Sequence, residues 1–295
     1  MVSIITPTHR KGKYWEITVE SVLQQTCTDF EWVVLDNSPD SYFEKDFNTF
    51  MESHPKYETV RKNVKIYSES FPLGTPVGRI KNRCVELCSC AYNDWVLVFD
   101  HDDIMASTTV EDITGCSNQY GERIQYIAGD NLFLEETKYG FLPSFVYNGD
   151  VVERTGQDIE IGEFKLATSK IQNKQLFRFG FDYGQYMILS HPRCIKRYLL
   201  DTIPFRFYEG LEYAEDVIQM RMAPLFLNTG WIDRYTVVYI HYGRTGSNMN
   251  SIHMQDEKQL AKTQSVENNL KNAYLSLRNV FGSDAKKEFF HYNSF

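Results

Sequence analysis

The stretch Trp95-Val96-Leu97-Val98-Phe99-Asp100-His101-Asp102-Asp103 decides how this chain reads as a fold. Five consecutive apolar residues suit a strand covered on both faces, and acids follow at once. Immediately upstream, Pro76–Tyr92 carries Val77, Ile80, Cys84, Leu87, Cys88 and Ala91 at helical spacing, with Pro76 suited to the first turn. Further back, Val2–Thr6, Glu31–Leu35 and Val64–Tyr67 read as strands, and Tyr14–Gln25 as a helix carrying Ile17, Val19, Val22 and Leu23. Strands alternating with helices over the first 103 residues predict an α/β fold with a mainly parallel, doubly wound sheet. In such sheets ligands sit beyond the carboxyl ends of the strands. Three strands run into polar residues there: Thr6-Pro7-Thr8-His9-Arg10, Leu35-Asp36-Asn37-Ser38, and Asp100 to Asp103.

Downstream, Ile124–Ala128, Tyr186–Ser190 and Thr236–Ile240 read as strands, and Glu212–Leu227 as a helix. Residues 130–185 mix turns, aromatics and weak strands, and read as an irregular elaboration of the same domain. From Asp256 to Val280 a polar helical pattern carries the stripe Leu260, Val266, Leu270, Tyr274, Leu277 and Phe281. Packing against the body and contact between copies in a homo-oligomer are both open to it. The expected division is a domain over 1–250, with halves 1–105 and 106–250, and a helical extension over 251–295.

Composition narrows the function. The 295 residues are 42% hydrophobic, an ordinary globular value that excludes a mostly disordered chain. Lys and Arg number 31 against 39 Asp and Glu, a net charge of −8, which disfavours nucleic acid as a partner. No apolar run reaches the length of a membrane span, and Met1–Arg10 lacks the charge-first pattern of a secretory leader. A soluble, cytoplasmic protein is the expectation. None of the six cysteines forms a Cys-x-x-Cys pair, so structural zinc is disfavoured and free thiols are expected. Cys84 and Cys88 are expected on one buried helix face.

Asp100 and Asp102 are two residues apart at a strand end. A period of two points both carboxylates to one side, where they repel unless a cation intervenes. Hard oxygens suit Mg²⁺ or Mn²⁺, which would also hold a substrate phosphate. By itself the triplet also reads as a solvated acidic turn.

The chain resembles the family 2 glycosyltransferases of GT-A fold, with a Rossmann-like mixed sheet flanked by helices. Five features in order carry the likeness: Ser3-Ile4-Ile5-Thr6-Pro7-Thr8-His9-Arg10; Ser21-Val22-Leu23-Gln24-Gln25-Thr26; a strand ending in Asp36; Gly78-Arg79-Ile80-Lys81-Asn82-Arg83; and Asp100 to Asp103. A later Glu215-Asp216, with Arg221 behind it, completes a likeness spanning about residues 1–250. It implies sugar transfer from a nucleoside-diphosphate donor, a UDP-sugar favoured, to an acceptor hydroxyl with inversion. Pro7, Thr8 and Arg10 would shape the nucleotide pocket, and Asp36 would meet the base edge. Asp36 also reads as a turn residue. Lys81 and Asn82 would approach ribose or diphosphate, while Arg79 and Arg83 suit a solvated helical face equally well. Asp100 would contact ribose or metal, and Asp102 would ligate Mn²⁺ or Mg²⁺. Asp103 would be metal-linked or a cap. His241 would be a third metal ligand or a structural histidine. Asp216 would be the general base, although acids also suit a helix start. Tyr183, Tyr186, Phe205, Phe207, Tyr208 and Trp231 would serve an acceptor cleft or the core. Glycan, lipid-linked sugar, protein and modified nucleobase are all open as acceptors.

Other classes fit less well. A haloacid-dehalogenase-type phosphatase would use Asp100 and Asp102, but Ile104 stands where that motif wants a small or hydroxyl residue. A nucleotidyltransferase would need glycines after the first strand, and the first is Gly12. No Gly-x-Gly-x-x-Gly follows a strand, which disfavours a dinucleotide oxidoreductase. A non-catalytic nucleotide- or carbohydrate-binding relative would have lost Asp102 or Asp216, and both are present.

Overall fold

The computed structural model describes residues 1–9, 15–39, 42–72, 74–137, 140–142, 145–147, 150–152, 154–161, 164–170, 176–178, 185–187, 193–201, 205–207, 209, 217–242, 257–281 and 288–292. At 130–187, 233–242, 257–267 and several positions of 217–224 this is the course of the backbone alone.

Valine, isoleucine and tryptophan dominate the first strands, as β-branched and aromatic side chains fit a pleated surface. Strands β1 (Val2–Thr8), β2 (Phe30–Asp36), β3 (Val64–Ser68) and β4 (Trp95–Val98) pair in parallel in the order β4-β1-β2-β3. Every residue of β2 and β4 is buried, so both faces of the sheet are covered. Alternation divides them. Ile4, Trp32, Val34 and Leu97 face helices α1 (Trp15–Leu23), α2 (Tyr42–Ser53) and, further along the chain, α5 (Thr109–Tyr120). Ile5, Val33, Leu35, Val96 and Val98 face α4 (Val77–Leu87), α6 (Arg197–Leu200), α7 (Val217–Phe226) and α8 (Glu257–Phe281). The short helix α3 (Tyr57–Val60) leads into β3.

The sheet continues past β4. The short β5 (Ile104–Met105) follows the acidic turn, and β6 (Tyr126–Thr137) runs beyond it. Then come β7 (Gly140–Leu142), β8 (Phe145–Tyr147), β9 (Asp150–Val152), β10 (Arg154–Ile161), β11 (Phe164–Lys170), β12 (Leu176–Arg178), β13 (Gln185–Met187), β14 (Arg193–Lys196), β15 (Thr229–Tyr242) and β16 (Phe289–Tyr292). β14 lies antiparallel between β4 and β6, with Arg193 opposite Val98 and Cys194 opposite Ile127. The β10–β11 hairpin joins β6, so this stretch of 130–185 extends the main sheet. β8–β9 and β12–β13 form separate two-stranded sheets.

Several sequence boundaries shift. Helix α4 ends at Leu87, short of Tyr92, and Cys88 is already extended at φ −66°, ψ 142°. The reason is Glu31, whose carboxylate takes the backbone N–H groups of Ser89 and Cys90. Cys84 is therefore buried in the helix, whereas Cys88 lies beyond its end and is half-buried. The strand expected at Tyr186–Ser190 is described over Gln185–Met187 and the helix expected over Glu212–Leu227 over Val217–Phe226; 188–190 and 212–216 lie outside the described residues. The C-terminal stretch is not wholly helical. Its β16 pairs in parallel with β15, and Phe290 packs 5.0 Å from Tyr120 between ring centres. Gly115 permits this approach, since a Cβ there would lie 2.0 Å from Tyr292 Oη.

Helix α8 matches the expected span, and the stripe is packed from Leu270 onward; the side chains of Leu260 and Val266 lie outside the described residues. Leu270, Ala273 and Leu277 are buried, and Tyr274 and Phe281 lie 5.6 Å and 6.2 Å from Phe226 between ring centres. Among the described residues, no helix is long and apolar enough to cross a membrane.

Candidate active site

Parallel pairing sets the carboxyl ends of β1, β2 and β4 side by side. Thr8 is in register with Asp36, and Ile5 with Val98. The ladder carries on past the strands: Phe99 N–H donates to Ile5 C=O at 3.0 Å, and Asn37 N–H to Thr8 C=O at 2.9 Å. The polar residues after each strand therefore meet at one edge, as the strand-end rule anticipates.

Asp36 is fully buried. Its Oδ1 accepts from Ser38 N–H at 2.9 Å and its Oδ2 from Glu44 N–H at 3.3 Å, in the first turn of α2. The turn reading of Asp36 thus describes its contacts in the structure. Each carboxylate oxygen retains further acceptor capacity toward a ligand. Thr8 is buried beside it and Pro7 is half-buried; Arg10 lies outside the described residues.

The acidic turn departs from the period-two expectation. Strand β4 stops at Val98, and Asp103 N–H donates to Asp100 C=O at 3.3 Å, so the chain turns through 100–103. Strand alternation does not govern Asp100 and Asp102. Asp100 meets two cations instead. Arg193 Nη2 lies 2.8 Å from its Oδ2, and Lys81 Nζ lies 3.4 Å from its Oδ1. Both cations are almost wholly buried, while the Asp100 side chain is 32% exposed. Arg193 starts the antiparallel strand β14, which is why it reaches this edge at all.

Helix α1 clamps the same turn from the opposite face. Thr18 Oγ1 lies 3.0 Å from the His101 carbonyl and 2.8 Å from that of Asp103. Ser21 Oγ accepts from Met105 N–H at 3.0 Å. Gln25 donates to the Ala106 carbonyl at 2.7 Å and accepts from Val110 N–H at 3.0 Å. Thr26 N–H donates to the Ser107 carbonyl at 2.8 Å. The Ser21 to Thr26 motif thus fastens the segment that carries the acids. Thr18, Ser21 and Gln25 stand on one face at spacings of three and four.

Asn82 is buried and its amide is spent on structure. It donates to the Phe207 carbonyl at 2.9 Å and to Glu209 at 2.7 Å, and accepts from Phe207 N–H at 3.0 Å. Its contacts hold Phe207 and Glu209. Lys81 Nζ stands 5.8 Å from the centre of the Phe207 ring. Arg79 is exposed. Arg83 forks onto Glu69 at 2.7 and 2.9 Å, which holds the Glu69 carboxyl below its usual range. Phe205 and Phe207 are core residues, and Trp231 is half-buried.

His241 lies within β15, in register with Glu135, and not after the strand as expected. Only its backbone is described. Asp216, Glu215, Tyr183 and Tyr208 lie outside the described residues. Asp216 immediately precedes the first residue of α7 in the chain.

The donor set admits a divalent cation in part. A Mg²⁺- or Mn²⁺-type ion needs one or two carboxylates with water and phosphate oxygens completing the shell. Asp102, half-buried in the turn, is a carboxylate of the type required, and like Asp100 it also holds other partners. Asp100, expected as a ligand, has an oxygen facing each of its two cations. Sequence reading missed Arg193 and Thr18. A lone cation before Cys194-Ile195 and a hydroxyl within an apolar helix were the signals for them.

The family model described as "Glycosyl transferase family 2" matches residues 3–191. The chain is 22% identical over 249 residues to glycosyltransferase GlyG of Streptococcus pneumoniae, covering 84% of this chain and 73% of GlyG. It is 25% identical over 147 residues to the O-antigen biosynthesis glycosyltransferase WbnJ of Escherichia coli, covering 47% of this chain and 52% of WbnJ. The crystal structure of S. aureus TarS 1–349 in complex with UDP-GlcNAc superposes with a TM-score of 0.52 at 18% identity, covering 95% of this chain and 73% of that one. That likeness is one of fold. The chain spans 44% of another solved S. aureus TarS chain.

Proposed function

The chain belongs to glycosyl transferase family 2, and from that premise we propose that it moves a sugar from a nucleoside-diphosphate donor to an acceptor hydroxyl on a glycan. A uridine donor is favoured, by the buried Asp36 at the end of β2 and by the UDP-GlcNAc bound to TarS. The glycan acceptor follows the O-antigen role in the name of WbnJ.

The observation that carries this reading is the shared carboxyl edge of β1, β2 and β4. It gathers Thr8, Asp36 and the acidic turn, with Lys81 and Arg193 beside them. Thr8 and Asp36 line the base and ribose end. Lys81 and Arg193 fix Asp100 and set positive charge beside the place of a diphosphate. Asp102, with His241 as a further candidate ligand, would hold a Mn²⁺ or Mg²⁺ ion, which would supply stabilisation of charge on the departing diphosphate. Asp216 acts as general base. The acceptor oxygen attacks the anomeric carbon, its proton passes to the Asp216 carboxylate, and the bond from that carbon to the diphosphate oxygen breaks. Attack from the opposite face inverts the centre.

The test is thermal shift against nucleoside diphosphates and UDP-sugars, each with and without Mn²⁺, followed by a transfer assay. Binding to the native state raises Tm by mass action. A rise for uridine nucleotides that needs Mn²⁺ and vanishes in Asp102→Asn supports the site. Asp216→Asn should keep the rise and lose transfer by about 10²- to 10⁴-fold. No rise with any nucleotide overturns the donor assignment. Wild-type transfer by Asp216→Asn overturns that of the base.

A further inference from the structure

At the opposite end of the sheet from the acidic turn lies a second cluster, which the proposed transfer reaction does not use. Glu31, at the start of β2, is buried, and its carboxylate is saturated. Its Oε1 accepts from Ser3 Oγ at 2.6 Å and from the N–H groups of Ser89 and Cys90 at 2.8 and 3.1 Å. Its Oε2 accepts from Lys65 Nζ at 2.8 Å and Ser89 Oγ at 2.7 Å. These bonds stop helix α4 and hold 88–90 against the sheet edge. The thiols of Cys88 and Cys90 and a Glu31 oxygen all lie within 4.8 Å of one another. Both thiols are half-buried, and Ser89 between them is exposed.

Two chemistries suit a pair of neighbouring thiols beside a carboxylate: capture of a thiophilic cation, and oxidation to a disulfide. The surroundings of the pair disfavour the cation. Five donors already occupy Glu31, the Lys65 ammonium among them, so the carboxylate that would be the third ligand is taken. Oxidation needs no third ligand. It needs a thiolate with access to solvent and a second thiol within reach.

We propose that Cys90 is a modification site for hydroperoxides, with Cys88 as the thiol that resolves it to a Cys88–Cys90 disulfide. Cys90 is the nucleophile of the pair. The neighbouring Cys88 thiol, with help from Ser3 and Arg197, outweighs burial and the charge of Glu31 and brings Cys90 down to about 7. Its neighbour Cys90 and burial push Cys88 up, and the Cys88 thiol donates to the Cys84 carbonyl at 3.3 Å. Cys84, Cys116 and Cys194 are buried, and burial raises each thiol. The Cys90 sulfur attacks one peroxide oxygen, the O–O bond breaks, and sulfenic acid and hydroxide form. Cys88 sulfur then attacks Cys90 sulfur, and the S–O bond breaks. Hydroxide and the thiol proton leave as water. Two thiols lose two electrons, and hydrogen peroxide becomes two waters.

The experiment treats the purified full chain with equimolar hydrogen peroxide at neutral pH, then blocks free thiols and maps peptides by mass. The expected product is a peptide holding both Cys88 and Cys90, unblocked and lighter by about 2 Da. In Cys88→Ser, dimedone should label Cys90, and label it about tenfold faster than the half-buried Cys27. Recovery of both thiols fully blocked, or dimedone on Cys27 in preference to Cys90, overturns the proposal. Titration with Zn²⁺ alone covers the competing chemistry. Protection of both thiols from alkylation by stoichiometric Zn²⁺, without peroxide sensitivity, would make this a metal site instead.

Discussion

Arg193 Nη2 donates to Asp100 Oδ2 at 2.8 Å across 93 residues of chain. The bond joins the first residue of an antiparallel strand to the turn after a parallel one, so it locks the sheet's change of direction onto its acidic edge. Lys81 approaches the other oxygen from α4. Three elements therefore fix one carboxylate that keeps a solvent-facing side.

Replacing Arg193 by Met should remove this lock. Lys81 remains, and Asp100 is a third exposed, so the cost falls below that of a fully buried pair, at about 1–3 kcal/mol. Urea unfolding reads that loss. Transfer should fall by more than stability alone explains, because the turn bearing Asp102 loses its anchor. Arg193→Lys returns the charge without the planar donor and should recover stability better than turnover. Equal loss in both variants would mean that charge alone, and not donor geometry, holds Asp100.

Gln25 offers a cleaner separation, since it touches no group at the carboxyl edge. Its amide spans the Ala106 carbonyl and the N–H of Val110, the second residue of α5. That helix has no side-chain cap of its own at Thr108. Gln25→Leu strands the buried Val110 N–H, while the Ala106 carbonyl keeps Thr109 N–H, and the expected loss is about 1–3 kcal/mol. Thermal melting should show it. Thr18→Val, which removes the hydroxyl beside His101 and Asp103, should lower donor affinity with a smaller stability change.

These contacts mark where sequence reading reaches and where it stops. The central strands were legible because both faces are covered, so Val33-Val34-Leu35 and Val96-Leu97-Val98 appear as unbroken apolar runs. The site edge was legible because polar residues follow those runs at once. Helix α5 escaped notice because Thr109-Val110-Glu111-Asp112-Ile113-Thr114-Gly115 has weak helical propensity; packing of Val110, Ile113 and Cys116 makes it a helix. Strand β14 is four residues long with a cation at each end, too short to show a period. The end of α4 was misplaced because Glu31, more than fifty residues upstream, intercepts its last turn. Partners so far apart in the chain leave no local signal.

The C-terminal helix gives a prediction that separates its two sequence readings. Leu277 is fully buried, whereas Val280 is 68% exposed. Leu277→Ala should cost about 2–5 kcal/mol through the cavity it leaves. Val280→Asp should stay within about 0.5 kcal/mol and leave the sedimentation coefficient unchanged. A strong concentration-dependent effect of Val280→Asp would return the outer face of the helix to a contact between copies.

Glu31 supplies a pH signature. Burial alone would raise its carboxyl, but the bonds from Lys65, Ser3 and Ser89 outweigh that and hold it below its ordinary 4.5. A depressed acid stabilises the fold fully above its unfolded value, and the gain is lost as pH falls through the folded value. Lys65 is raised above its ordinary 10.5 chiefly by the same bond, so its share is full below that value and is lost as pH rises through the folded one. Glu31→Gln should therefore be less stable than wild type by about 2–3 kcal/mol on a plateau from mildly acid to mildly alkaline pH. The gap should close toward both extremes. Paired urea titrations at neutral pH and below the Glu31 transition measure it. A gap that stays constant into acid would mean that the lost packing of Ser89 and Cys90, and not the carboxylate charge, accounts for the difference.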